Sequence, residues 1–372
     1  MNSTFLLTPA DSGFNGHAVH YSSYPGDTSS PVIHSGVRVT NWTQVDAARN
    51  IWAAPLPSGV SDTRQAYING ERMKSTTSSG LGSHVTITSW GYVSTDAHDE
   101  LFDAHQAPQD IEFLYTGVGS SWTECRLRVA SVSRVPGGGV NVTMQQPGFK
   151  LGINKYFGQG VTTPVSISNL YSALSNPGQS YVNSASRVLY YVPKAGENLS
   201  TADVIVPGPT EVLVRMQGNT AGSKVDPVKA VVLNGLVFAY AGWLEPNTGV
   251  GYVDMQSAFR VLPSSTNDDD TWVPVPGNIQ MHTVENISVT GCTFSGLGAT
   301  ALEVDDASQS VLIANNTFKD VSCGGVYIGQ VRAEAICGPL AIAAHSTYAT
   351  SAHSLYDKQR LSVRFSSTTY TM

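Results

Sequence analysis

The chain has 372 residues, 41% of them hydrophobic and only 13% charged, with a formal net charge of −7. Soluble domains carry roughly 25% charged residues, so this surface is neutral and polar, built from Ser, Thr, Asn, Gln and the 35 glycines. With 21 basic against 28 acidic residues there is no footprint for a phosphate backbone, which argues against nucleic acid as a partner. No run reaches the ~18 consecutive apolar residues of a membrane-spanning helix, so no membrane partner is expected either.

The composition disfavours long helices and favours short strands joined by tight turns. Met1–Gly13 holds only Phe5, Leu6 and Leu7 as an apolar run, too short for the core of a signal peptide. Residues 1–60 are read as an N-terminal region whose segment Pro31–Thr40 forms a first coil. Residues 61–205 carry hairpin-like segments: Arg64–Arg72 with its Asn69-Gly70 turn, then His84–Thr88, Ile111–Tyr115, Cys125–Val129, Gly139–Met144 and Arg187–Val192. They predict an inserted antiparallel β domain. Helix is expected only at Ser166–Leu174 and near Gln44–Asn50.

Residues 206–330 contain a repeat. Ile287–Phe294 (ISVTGCTF) aligns with Val311–Phe318 (VLIANNTF) at an offset of 24, and Val231–Phe238 (VVLNGLVF) is an earlier copy. The alignment continues with Leu297 on Val321, Leu302 on Val326 and Val304 on Ile328. The local rhythm alternates with period two, and 24 residues are too few for two packed helices. One such coil cannot bury its own inward side chains, whereas stacked coils form a continuous core with ladders of like residues. Asn315 and Asn316 suit the corners, because Asn tolerates left-handed backbone and bonds to the turn. The fold expected is all-β: a right-handed parallel β-helix with an inserted antiparallel β domain. Tyr252–Met255 is read as the later strand of the earlier coil. Residues 331–372 lose the rhythm and are read either as a foreign or truncated ending or as an unusual cap.

Glu303 lies between Leu302 and Val304, both inward by the repeat, so it points outward, with Tyr327 one coil on. Placing Asp254 on the same face below gives a column of Asp254, Glu303 and Tyr327. Asp305 and Asp306 follow at the strand exit. Two carboxyl groups flanking a bond are what glycosidic hydrolysis needs, so Glu303, Asp254, Asp305 and Asp306 are the catalytic candidates. Tyr327, Trp243, His282 and Glu245 are the substrate-binding ones, the aromatic rings as sugar platforms. Glu285 is noted beside His282. Each also has a plain reading, as a solvated strand or turn carboxylate, a loop histidine or a packing tryptophan. Asn267–Asp270 resembles a calcium loop in composition only, lacking the glycine and distal glutamate. No metal or cofactor is expected. Cys125, Cys292, Cys323 and Cys337 show no metal-ligand spacing and are read as buried thiols or one disulfide.

The order of Arg64–Arg72 (RQAYINGER), Ile111–Arg126 (IEFLYTGVGSSWTECR), Val142–Phe149 (VTMQQPGF), Leu189–Glu197 (LYYVPKAGE), Phe238–Leu244 (FAYAGWL) and Gly296–Asp306 (GLGATALEVDD) resembles bacterial β-helix proteins related to glycoside hydrolase family 141. The resemblance runs from about residue 30 to 330. It implies a secreted, extracellular protein acting on a polysaccharide or oligosaccharide, with fucoside and xylan cleavage among the family's activities; a monomer is expected. Relatives continue for further coils past residue 330. The paired aspartates echo β-helical polygalacturonases, but Cys323, Gly324 and Gly325 stand where those carry Gly-His-Gly, which disfavours that family. Three functions stay open: a glycoside hydrolase, a non-catalytic carbohydrate-binding or degenerate truncated β-helix, and a polysaccharide lyase. The lyase lacks an outward Lys or Arg beside the carboxylates.

Overall fold

The computed structural model describes the chain except residues 119–121, 159, 221–224, 264–271, 306, 330–362, 367–368 and 372. For 156–158, 363–366 and 369–371 the backbone alone is described. The chain divides into two compact units, one made of Met1–Gly36, Pro207–Gly242 and Val275–Met372, the other of Val37–Val206 and Trp243–Pro274.

The first unit is a parallel β-helix with three faces, each a five-stranded sheet. The first face stacks Phe5–Leu7, Val214–Gln217, Gly277–His282, Thr300–Asp305 and Val326–Gly329. The second stacks Val19–Ser22, Val228–Asn234, Val284–Thr290, Gln309–Ala314 and Val363–Ser366. The third stacks Val32–His34, Val237–Ala239, Thr293–Leu297, Thr317–Val321 and Thr369–Thr371. Every pairing is parallel, because each strand meets the same strand of the next coil.

The register is the one the repeat predicts: Ile287 opposite Val311, Val289 opposite Ile313, Phe294 opposite Phe318, Leu302 opposite Val326. Phe238, Phe294 and Phe318 form a stacked ladder, with ring centroids 5.2 and 4.7 Å apart. Asn315 takes a left-handed φ of 56° at its corner. The buried Asn316 accepts from the Cys292 N–H and donates to the Val289 carbonyl, both at 2.9 Å.

The chain leaves the β-helix twice, and the second excursion explains one departure. The strand that follows Val237–Ala239 onto the first face is Gly277–His282, because Trp243–Pro274 is spliced into that coil. Tyr252–Gln256 instead pairs antiparallel with Glu124–Arg134 and Phe259–Val261. The first excursion starts at Val37, so Thr43–Asp46 and Ile51–Pro55 belong to the antiparallel unit rather than to the first coil. Beyond residue 330, where no further coil is expected, Val363–Ser366 and Thr369–Thr371 extend the second and third faces.

The second unit is built mainly of antiparallel strands, its largest sheet carrying Glu112–Thr116, Glu124–Arg134 and Val140–Met144 at its centre. A second sheet orders Thr43–Asp46, Ile51–Pro55, Val188–Tyr191, Gln179–Asn183 and Lys74–Ser75. Neither helix expected from the sequence forms: Ser166–Ser168 and Thr43–Asp46 are strands. Among the described residues the α-helix is Gly148–Gly158, anchored by the fully buried Phe149. Burial outweighs the poor helix propensity of three glycines.

Candidate functional site

The first face of the β-helix carries the site. Along Thr300–Asp305, Leu302 and Val304 enter the hydrophobic core, as do Ile279 and Met281 one strand below. Alternation therefore sets Glu303 and Asp305 on the other side of the sheet, with Gln280 and His282 beneath them. One register column reads Arg215, Gln280, Glu303, Tyr327 and the next Gln217, His282, Asp305, Gly329.

Glu303 is held from two sides. The Gly277 N–H donates to its Oε2 at 2.6 Å, and His282 Nε2 lies 3.8 Å from its Oε1. Gly277 permits this approach: a Cβ there would stand 2.5 Å from the Glu303 Cβ. A His282 ring nitrogen and one carboxylate oxygen each of Glu303 and Asp305 all lie within 4.8 Å of one another. One imidazole and two carboxylates are also a donor set a divalent cation accepts, although the sequence reading assigns no metal here.

The carboxylates are less open than the sequence suggests. An outward strand carboxylate is ordinarily solvated, yet Glu303 is 6% and Asp305 4% exposed. His282 and Tyr327 are half-buried, Tyr327 opposite Glu303 in the strand above. The face does carry a cation, which the sequence reading missed: Arg215, two strands below Glu303, donates from Nε to Gln280 Oε1 at 2.9 Å. Strands repeat every ~4.8 Å, so Arg215 lies roughly 10 Å from Glu303 along the column.

Asp254 is not part of this column; Gln280 occupies the place below Glu303. Asp254 lies in the antiparallel unit, 6% exposed, opposite Arg260. The Glu124 N–H donates to its Oδ2 at 3.4 Å. Burial pushes its carboxyl pKa up, with the Lys155 charge acting against that. The buried Lys155 Nζ lies 3.8 Å from Cys125 Sγ, and burial raises that thiol to about 11.

Trp243 and Glu245 also lie in the second unit. Trp243 is 7% exposed, with Tyr252 edge-on at 6.1 Å and the Arg260 guanidinium 5.5 Å above its ring. Glu245 pairs with Arg260. A tryptophan so enclosed is packing, not an open sugar platform. Glu285 lies on the second-face strand Val284–Thr290 and pairs with Lys229 at 3.0 Å, whereas His282 ends a first-face strand. Cys125 and Cys292 are buried free thiols. Asp306, Asn267–Asp270 and Cys337 lie outside the described residues.

The fold defines a class, β-helical proteins with a spliced antiparallel unit. A solved structure titled "Glycoside hydrolase" aligns with a TM-score of 0.72 at 20% identity, covering 89% of this chain and 58% of that one. The shared feature is the fold, and this chain spans under two thirds of that protein's length. No protein-family model and no curated protein matches the sequence.

Proposed function

We propose that the chain is a glycoside hydrolase-like protein that cleaves a polysaccharide with Glu303 and Asp305. The observation that carries this reading is their pairing on one face of the β-helix, with carboxylate oxygens within 4.8 Å. Inverting enzymes separate their carboxyls by ~6.5–9.5 Å to seat a water, whereas retaining enzymes hold them ~5–5.5 Å apart. The short separation favours retention through a covalent glycosyl-enzyme.

Glu303 is the nucleophile in this scheme, its Oε2 fixed by the Gly277 N–H so that Oε1 is presented. Asp305 protonates the leaving oxygen and then takes a proton from the attacking water. His282 orients Glu303, and Tyr327 offers a ring to the sugar. Extracellular action and kinship with family 141 belong to this proposal, supported by the motif order and by a structural neighbour titled a glycoside hydrolase.

The test is reducing-sugar release from plant, algal and microbial polysaccharides. Glu303→Gln should lower release by about 10³-fold or more while leaving the circular dichroism spectrum unchanged. Full activity in that variant overturns the assignment. The near-closure of both carboxylates favours one second reading, carbohydrate binding without turnover. Glycan retention with no product from the wild-type chain would select it.

A further inference from the structure

The antiparallel unit contains a cavity of about 850 Å³ that the carboxylate site does not use. Trp42 and Trp52 line it together with Asn41, Asn50, Asn198 and Glu197. Ligand pockets run from roughly 300 to 1,000 Å³ and pair apolar or aromatic walls with a few fixed polar groups. We propose that this pocket is a second glycan-binding site, taking a short stretch of a neutral oligosaccharide with Trp42 and Trp52 as the stacking surfaces. It rests on the carbohydrate part of the reading above, not on catalysis.

The two indoles are positioned by the core. Both pack against the cluster that contains Val39, Leu189, Tyr191 and Leu199, and both remain half-buried at the cavity. Trp52 stands opposite Tyr191 in the sheet, and Trp42 meets the same ring edge-on at 6.4 Å. Asn50 Oδ1 accepts from the Trp52 indole N–H and from Gln44 Nε2, both at 3.0 Å, which locks the Trp52 ring plane. The Trp42 indole N–H is buried with no acceptor among the described residues.

The rim is ordered before any ligand arrives. Glu197 Oε2 accepts from the Tyr191 hydroxyl at 2.7 Å and from the Lys194 N–H at 2.8 Å. Asn198 Oδ1 accepts from the Ser200 N–H and hydroxyl at 3.0 and 2.7 Å, closing the next turn. Asn41 and Asn50 hold left-handed backbone, with φ of 64° and 52°, on either side of Thr43–Asp46. A preformed rim lowers the ordering cost of binding.

Charge selects the ligand class. Arg38 is paired with Asp203 at 2.9 Å and Lys194 with Glu71 at 2.8 Å. With each cation matched by a carboxylate and Glu197 held by two donors, the cavity has no surplus positive charge for an acidic sugar. Planar rings and amide groups suit the alternating C–H faces and hydroxyls of a neutral one.

The test is isothermal titration calorimetry of the full chain with xylohexaose, cellohexaose, laminarihexaose and, as the acidic control, hexagalacturonate. The expected result, read in Glu303→Gln so that no probe is consumed, is saturable binding of at least one neutral probe. Trp52→Ala and Ala195→Arg, the latter at an exposed rim position, should each weaken it by about tenfold or more. If Trp52→Ala fails to fold, Ala195→Arg decides alone. Binding undiminished in the folded variants, binding of the acidic control only, or no heat from any probe would each overturn the proposal. Retained binding in a chain that releases no sugar would remove the hydrolase reading and leave this site standing.

Discussion

Glu112 is 6% exposed in the antiparallel unit, a carboxylate that survives burial because guanidinium groups surround it. Arg64 donates to both its oxygens, at 2.6 and 3.1 Å, and Arg126 to Oε1 at 3.2 Å. Burial alone would raise its pKa, but Arg64, with help from Arg126 and Arg128, outweighs that and lowers it from 4.5 to about 2. A folded pKa below the unfolded one adds stability that is present above pH 4.5 and lost as pH falls toward 2, on the order of 3 kcal/mol in all. Glu112→Gln should therefore lower the melting temperature at pH 7, and the gap to wild type should close between pH 4.5 and 2. Melting curves that stay equally separated across that window would contradict this.

Part of the site is legible in the sequence at the level of single residues. Alternation assigned Glu303 to the outer face of its strand, because Leu302 and Val304 belong to the core. It did not reveal that the carboxylate is shielded, since period two reports which side a residue faces and not what covers it. Asp254 was misplaced because an alternating strand looks alike whether its neighbours are parallel coils or hairpins. Nothing in the spacing of Trp42 and Trp52 announces a pocket, because Pro193–Ala202, which also lines it, lies some 140 residues further along the chain.

Among the elements, the coils were the most legible. Their inward positions repeat at a fixed offset, and a ladder such as Phe238, Phe294 and Phe318 is visible as soon as the copies are aligned. Phe294 is fully buried between two rings, so Phe294→Ala should cost about 3–5 kcal/mol in urea unfolding. A loss below ~1 kcal/mol would mean the ladder is not the core of the β-helix. The strand Gly277–His282, which carries Gln280 and His282, was missed for a physical reason. The splice at Trp243–Pro274 breaks the repeat where that strand should follow its coil. The helix Gly148–Gly158 was hidden by its glycines, which tertiary packing tolerates and local propensity does not.

At the level of the whole molecule, each unit is assembled from segments far apart in the chain: three make the β-helix and two the antiparallel unit. Such interleaving blurs boundaries drawn from composition. The break near residue 60 expected from the sequence falls at Gly36, because Val37–Arg38 already pairs with Val204–Val206 in the second unit. The central claim concerns the first unit, whose first face brings Glu303 and Asp305 together. The most direct test follows the anomeric proton by NMR during hydrolysis of an oligosaccharide the wild-type chain cleaves, with Glu303→Gln in parallel. The account predicts a first-formed sugar of the substrate's own anomeric configuration and no detectable product from the variant. An inverted product, or turnover by Glu303→Gln at the wild-type rate, would contradict it.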